Sequence, residues 1–366
     1  MVFGMRGREL EGLLPTGCAP VREQLRLGEA NAAQYLRERG LLHPGEEATV
    51  EAAGEGNINW VRRMRISPHG RSLVVKQARP ALERFPEYQV TTERIVFESR
   101  YYEVARPSDL DGLLPHVLDF DECERVLILE DLGDAERLDE ALGRGYDGRG
   151  AAQALGRFLG RVHAATREAP ALAEQFHNNA MRRLHGDHIF VLPFRENSFP
   201  LSPRLRARAE QVWKDADLVA RADAAYARYL TPQGALIHAD VQAGNVLLAN
   251  SGPKLLDAEI AHVGDPAFDL GTLIAHLCVA ALASRRSSPG LVRAAWSAYL
   301  EAADAASLRF EDVARYAAIE LLRRTIGAAR LRAVERDEAG VAVLEAAARW
   351  IRRPPPSCEA LESPAI

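Results

Sequence analysis

From His238 the chain reads His-Ala-Asp-Val-Gln-Ala-Gly-Asn, which sets Asp240 and Asn245 five positions apart behind a histidine. Phosphoryl transfer from a magnesium nucleotide asks for such a pair: a carboxylate that meets the acceptor hydroxyl, and an amide that turns back to the metal. Asp257-Ala258-Glu259 follows behind an apolar stretch, and carboxylates at i and i+2 share one face of an extended segment. Magnesium prefers hard oxygen ligands, so Asn245, Asp257 and Glu259 are the candidate metal ligands and Asp240 the candidate base. In a loose transition state, orienting the hydroxyl counts for more than removing its proton. Either acidic element alone reads as ordinary turn acids; their joint order and spacing carry the chemistry.

A nucleotide also needs backbone amides that approach its phosphates without a Cβ in the way. The turn Gly54-Glu55-Gly56-Asn57-Ile58-Asn59 offers them, with Gly54, Gly56, Asn57 and Asn59 as the contacting positions, although a plain hairpin turn would look the same. Lys76, in Ser-Leu-Val-Val-Lys-Gln-Ala, is the strand lysine expected to reach the α- and β-phosphates. Lysine occurs only at 76, 214 and 254 in a chain that otherwise uses arginine, which favours a specific role. Its ion-pair partner is Glu98 or Glu93 on the next helix; Glu98 lies mid-helix, whereas Glu93 suits the helix N-terminus. Val126 to Gly133 reads as the strand that crosses between lobes, where the backbone of Glu130 and Leu132 could hydrogen-bond adenine, although an edge strand ending in a turn would look the same. Asp269 opens a helical run and either caps it or holds the loop at 240. His163, on an apolar helix, reads as a satisfied core histidine.

These residues need scaffolding. Residues 1–28 read as a loose leader and 354–366 as a proline-rich, frayed tail. Residues 29–131 hold a helix ending at Gly40, a β-meander, a helix over about 91–105 and two further strands. Residues 132–353 turn to long amphipathic helices, at 150–167, 203–229 and 269–352, interrupted by the short apolar runs Ala235–Asp240 and Pro253–Glu259. The fold class is therefore α+β: a nucleotide-binding sheet lobe with one helix, and a larger helical lobe for catalysis and substrate.

Composition narrows the partners. The chain has 366 residues, 47% of them apolar, and a net charge of -5, enough to bury a bilobal core. It lacks a basic stripe with interleaved aromatics, so nucleic acid is not expected. No run approaches the length of a membrane span, and the N-terminus lacks an apolar core, so the reading is cytoplasmic. The four cysteines, at 18, 123, 278 and 358, show no C-x-x-C pair and read as reduced thiols.

In order along the chain, GEGNINWV, VVKQARP, PHVLDFD, LILEDLG, ALIHADVQAGNVLL, LLDAEIAHVGDPAFDLG and ELLRRTIGAARL resemble the aminoglycoside phosphotransferase-like and choline kinase-like small-molecule kinases. The resemblance runs from about residue 30 to 350 and is strongest to the methylthioribose kinases, through Asp257-x-Glu259 and the paired Arg323-Arg324. It implies a bilobal protein-kinase-like fold, ATP and Mg2+ as cofactors, and a small-molecule hydroxyl substrate of the methylthioribose type. It further implies substrate contact by Arg323 and Arg324, and suggests a homodimer. Ala239 stands where that family usually has glycine, Gly244-Asn245 follows the wider group, and 80–90 lacks the family's tryptophan. Aminoglycoside, choline or homoserine as acceptor, or a catalytically silent nucleotide-binding fold, are the alternatives. An arginine pair suits a neutral or anionic polyol better than a polycation.

Overall fold

The computed structural model describes residues 24–53, 59–81, 89–167, 169–283, 290–303, 308–334 and 337–361. Helix α1 (Ala32–Glu38) precedes β1 (Glu47–Ala52), β2 (Trp60–Ser67) and β3 (Arg71–Gln77); α2 (Arg94–Ala105) then leads to β4 (Val117–Asp121) and β5 (Val126–Glu130). The five strands form one antiparallel sheet in the order β1-β2-β3-β5-β4. Side chains alternate across β5: Val126 and Ile128 join Leu36, Trp60 and Val75 on the α1 side, whereas Leu127 and Leu129 join Ile95 and Phe97 of α2. Lys76 lies opposite Leu127 in the register, and its buried side chain turns to the α2 face.

The second lobe begins with β6 (Glu136–Arg137), α3 (Leu138–Gly143) and α4 (Arg149–Thr166). Next come α5 (Pro170–Gln175), α6 (Asn179–Gly186), α7 (Pro203–Trp213) and α8 (Ala216–Tyr229). Four short strands follow, β7 (Ala235–Ile237), β8 (Val246–Ala249), β9 (Gly252–Leu255) and β10 (His262–Gly264). They pair as β10-β7 and β6-β8-β9, so the loops that join them are held from both sides. Helices α9 (Pro266–Ala283), α10 (Leu291–Ala303), α11 (Phe310–Ile326) and α12 (Asp337–Arg352) complete the lobe. Helix α4 reaches the loops because it packs closely on α10: a Cβ on Gly156 would come within 2.1 Å of the Ala295 carbonyl oxygen.

The two-lobe α+β architecture matches the sequence expectation, with four corrections. The helix expected over 203–229 is two helices, because Asp215 caps α8 through the Leu218 amide and ends the run. Of the leader expected over 1–28, the described residues from Gln24 on belong to the fold: the Gln24 side chain bonds the carbonyls of Ala78 and Glu124, and Leu27 is buried beneath the sheet. The tail expected to fray from 354 packs instead: Cys358 and Leu361 are core residues. Cys123 is disulfide-bonded, against the reading of four reduced thiols, whereas Cys278 and Cys358 are buried thiols. Among the described residues no helix is long and apolar enough to cross a membrane.

Candidate active site

The loop after β7 is held from behind. Asp269, fully buried in the first turn of α9, accepts hydrogen bonds from the amides of His238 (2.9 Å) and Ala239 (2.8 Å). It holds the loop, and His163 of α4 stands 3.2 Å behind it. His163 is thus a support rather than a reagent. Both backbone amides can point at Asp269 because Ala239 adopts φ 66, a left-handed conformation that residues other than glycine seldom take. His238 Nδ1 accepts from the Asp240 amide (3.2 Å), which leaves Nε2–H to donate to the Leu256 carbonyl (3.1 Å). Burial lowers the His238 pKa and keeps this neutral tautomer.

Asp240 and Asn245 come together as their spacing required: Asn245 Nδ2 donates to Asp240 Oδ2 (2.8 Å) and to its carbonyl (3.0 Å). Burial raises the Asp240 carboxyl above the usual range, with Arg324, Arg323 and the Asn245 hydrogen bond pulling the other way. The Leu256 amide donates to the Asn245 carbonyl at 2.9 Å, so Asp257 enters beside Asn245. Asp257 also lies in the left-handed region, at φ 64.

Lys76 joins the two lobes. Its Nζ lies 2.7 Å from Glu98 Oε2 and 2.5 Å from Asp257 Oδ1. Desolvation opposes the ammonium, but Asp257, Glu98 and Glu259 outweigh it and raise the Lys76 pKa. Burial pushes Glu98 up to about 7 despite Lys76. Glu98, not Glu93, is the partner of Lys76, as its mid-helix place suggested; Glu93 occupies the N-terminal cap position of α2. Tyr102, one helical turn beyond Glu98, donates to Glu98 Oε1 (3.0 Å) and accepts from the Asp257 amide (3.2 Å). The i to i+4 spacing of Glu98 and Tyr102 was the signal that could have found it.

Glu259 departs from a simple metal ligand. Its carboxylate meets Arg94 Nε at 3.0 Å and Asn59 Nδ2 at 3.1 Å, and Arg94 also grips Asn59 Oδ1 at 2.7 and 3.1 Å. Asn59 therefore spends its side chain on this bridge between lobes and does not turn it to a nucleotide. Gly54, Gly56 and Asn57 lie outside the described residues. The Glu130 amide donates to the His116 carbonyl (3.0 Å), which takes it away from adenine, whereas the Leu132 amide has no hydrogen-bond partner among the described residues.

Arg323 and Arg324 are buried on α11, not on a solvated face, and both grip Glu320: Arg323 Nη1 at 3.0 Å from each oxygen and Arg324 Nε at 2.6 Å. Their charge reaches Asp240. Among the described residues no three His, Cys, Asp or Glu side chains cluster as a ready metal cage. Asn245 and the half-exposed Asp257 still fit magnesium, which takes one or two carboxylates and leaves its other positions to water and phosphate.

A family model described as the phosphotransferase enzyme family matches residues 49–310. The chain is 26% identical over 338 residues to methylthioribose kinase of Bacillus thuringiensis (strain Al Hakam), covering 83% of this chain and 85% of that one. Among solved structures it resembles LicA in complex with AMP, with a TM-score of 0.50, 17% identity, and 89% of this chain and 99% of that one covered. It also resembles choline kinase from Cryptosporidium parvum Iowa II, with a TM-score of 0.50, 12% identity, and 87% and 94% covered. The two structures share the bilobal fold described above.

Proposed function

This chain belongs to the phosphotransferase enzyme family, and from that premise we propose that it moves the γ-phosphoryl group of MgATP to a hydroxyl of a sugar-like metabolite, methylthioribose being the favoured type. The observation that carries the reading is the convergence of Asp240, Asn245, Asp257 and Lys76 from three segments of the chain onto one place. Asp240 receives and orients the acceptor hydroxyl. Lys76, held by Glu98, is placed for the α- and β-phosphates, and the Leu132 amide offers a donor to adenine. Asn245 and Asp257 would hold magnesium, with Glu259 as a further oxygen at the same place if Arg94 releases it. Bound there, the ion would supply positive charge against the negative charge that develops on the phosphates.

Charge supports a neutral polyol. Two guanidiniums share one buried carboxylate, and Asp240 adds a second negative group, so the acceptor side is close to balanced. A polycationic aminoglycoside would find no surplus of carboxylates, and choline would need an aromatic cage that does not surround Asp240 in the described contacts.

ADP release tests the proposal. Purified protein with MgATP is offered methylthioribose, other pentoses, choline, homoserine and an aminoglycoside, beside the Asp240→Asn variant. The expected result is ADP release that depends on a sugar, and a loss of at least about 100-fold in the variant. No acceptor-dependent release, or a variant within about tenfold of the wild type, would contradict it.

A further inference from the structure

Beside Asp240 stands a side chain to which no step has yet been given. Gln242 places Nε2 3.1 Å from Asp240 Oδ2 and 3.3 Å from Asn245 Oδ1, while its Oε1 accepts from Arg324 Nη2 at 2.8 Å. A guanidinium only donates and a carboxylate only accepts. The amide must therefore turn its oxygen to Arg324 and its nitrogen to Asp240. The same rule turns Asn245 Nδ2 to Asp240 and leaves Oδ1 as its ligand atom. Asp240 Oδ2 is thus held by two donors, and neither of them reaches Oδ1. On its far side Arg324 is fixed by Glu320, which also meets Arg323 and His276 (3.3 Å), all of them buried. One line of polar contacts runs from Glu320 through Arg324 and Gln242 to Asp240.

We infer that Gln242 is a positioning residue that ties Arg324, one of the two arginines the family resemblance implies for acceptor contact, to Asp240, so that an acceptor seated there presents its hydroxyl to Oδ1. This rests on the proposed function and names how its acceptor half is aligned with its base. An amide is suited to the task because it is neutral and offers a donor and an acceptor on one rigid plane.

The test compares wild type, Gln242→Met, Gln242→His and Asp240→Asn in steady-state kinetics with MgATP and methylthioribose, beside melting temperature. Gln242→Met keeps length and loses the bonds to Asp240, Asn245 and Arg324. Its kcat should fall by about 10- to 100-fold, with a raised acceptor KM and an unchanged KM for ATP and melting temperature. A neutral imidazole can donate on one nitrogen and accept on the other, so Gln242→His should recover most of the loss. A structural role alone would lower the melting temperature without splitting the two KM values. If Gln242→Met retains kcat and acceptor KM within about twofold while Asp240→Asn is inactive, the inference falls and the proposed function stands. If Asp240→Asn is as active as wild type, both fall. Should Gln242→Met itself melt early, Gln242→His decides: near-wild-type turnover supports the tie, and lost turnover at a normal melting temperature overturns it.

Discussion

Ala239 shows how finely the loop at 238–245 is balanced. Its left-handed backbone costs of the order of 1–2 kcal/mol, which glycine would relieve. Glycine would also lose a fully buried methyl, about 0.8 kcal/mol, and gain chain entropy when unfolded, about 0.4–1 kcal/mol. The terms nearly cancel, so Ala239→Gly should stay within about 1 kcal/mol of wild type in urea unfolding. Ala239→Val, β-branched at positive φ, should lose about 3 kcal/mol or more and most activity. A Val variant as stable as wild type would refute the strained backbone. At this scale Asp240, Asn245, Asp257, Lys76 and Glu98 were legible, because phosphoryl transfer fixes both residue type and spacing. Gln242 and Arg94 were not: their roles come from partners brought near by folding, and no local spacing announces them, whereas the i to i+4 spacing from Glu98 could have shown Tyr102.

Two elements depend on close fits. Gly156 of α4 lies against the Ala295 carbonyl of α10, so a methyl there must push α10 away from α4, the helix that carries His163 to Asp269. Gly156→Ala should cost at least about 2 kcal/mol by urea denaturation, and an unchanged midpoint would refute the close contact. Arg94 is fully buried between Glu259 and Asn59. Arg94→Met should cost about 3–5 kcal/mol, since it leaves the Glu259 carboxylate without its cation. Calorimetry that finds the variant as stable as wild type would remove the bridge between lobes from the account. The strands of the first lobe and most helices were readable from period and turn residues, whereas β6, β8 and β10 were not. The break at Lys214 was not, because Asp215 as a cap looks like one more polar residue on an amphipathic run. The packing of 354–361 was missed because proline-rich composition says nothing about a neighbouring core.

The whole molecule carries buried imidazoles at His185, His238, His262 and His276, and burial lowers each pKa, that of His262 to about 3. Their ordinary value is 6.5, so below it the unfolded chain binds protons that the folded chain refuses. Stability is present above about pH 6.5 and is lost as pH falls, at up to about 1.4 kcal/mol per unit for each histidine. Glu98, raised to about 7, and Asp240, also raised by burial, act with the opposite sign and favour the folded state on acidification, but they are two groups against four. The urea midpoint should therefore drop clearly between about pH 7 and about pH 5, and a flat midpoint would contradict the burial of these rings. The central claim is that the segment 238–259 gathers its oxygens around a magnesium nucleotide facing an acceptor hydroxyl. A crystal structure with Mg2+ and a non-hydrolysable ATP analogue tests it most directly. The account expects magnesium about 2.0–2.1 Å from Asn245 Oδ1 and the Asp257 carboxylate, with Asp240 Oδ1 open toward the γ-phosphate. A nucleotide bound away from Lys76, or a metal touching neither residue, would contradict it.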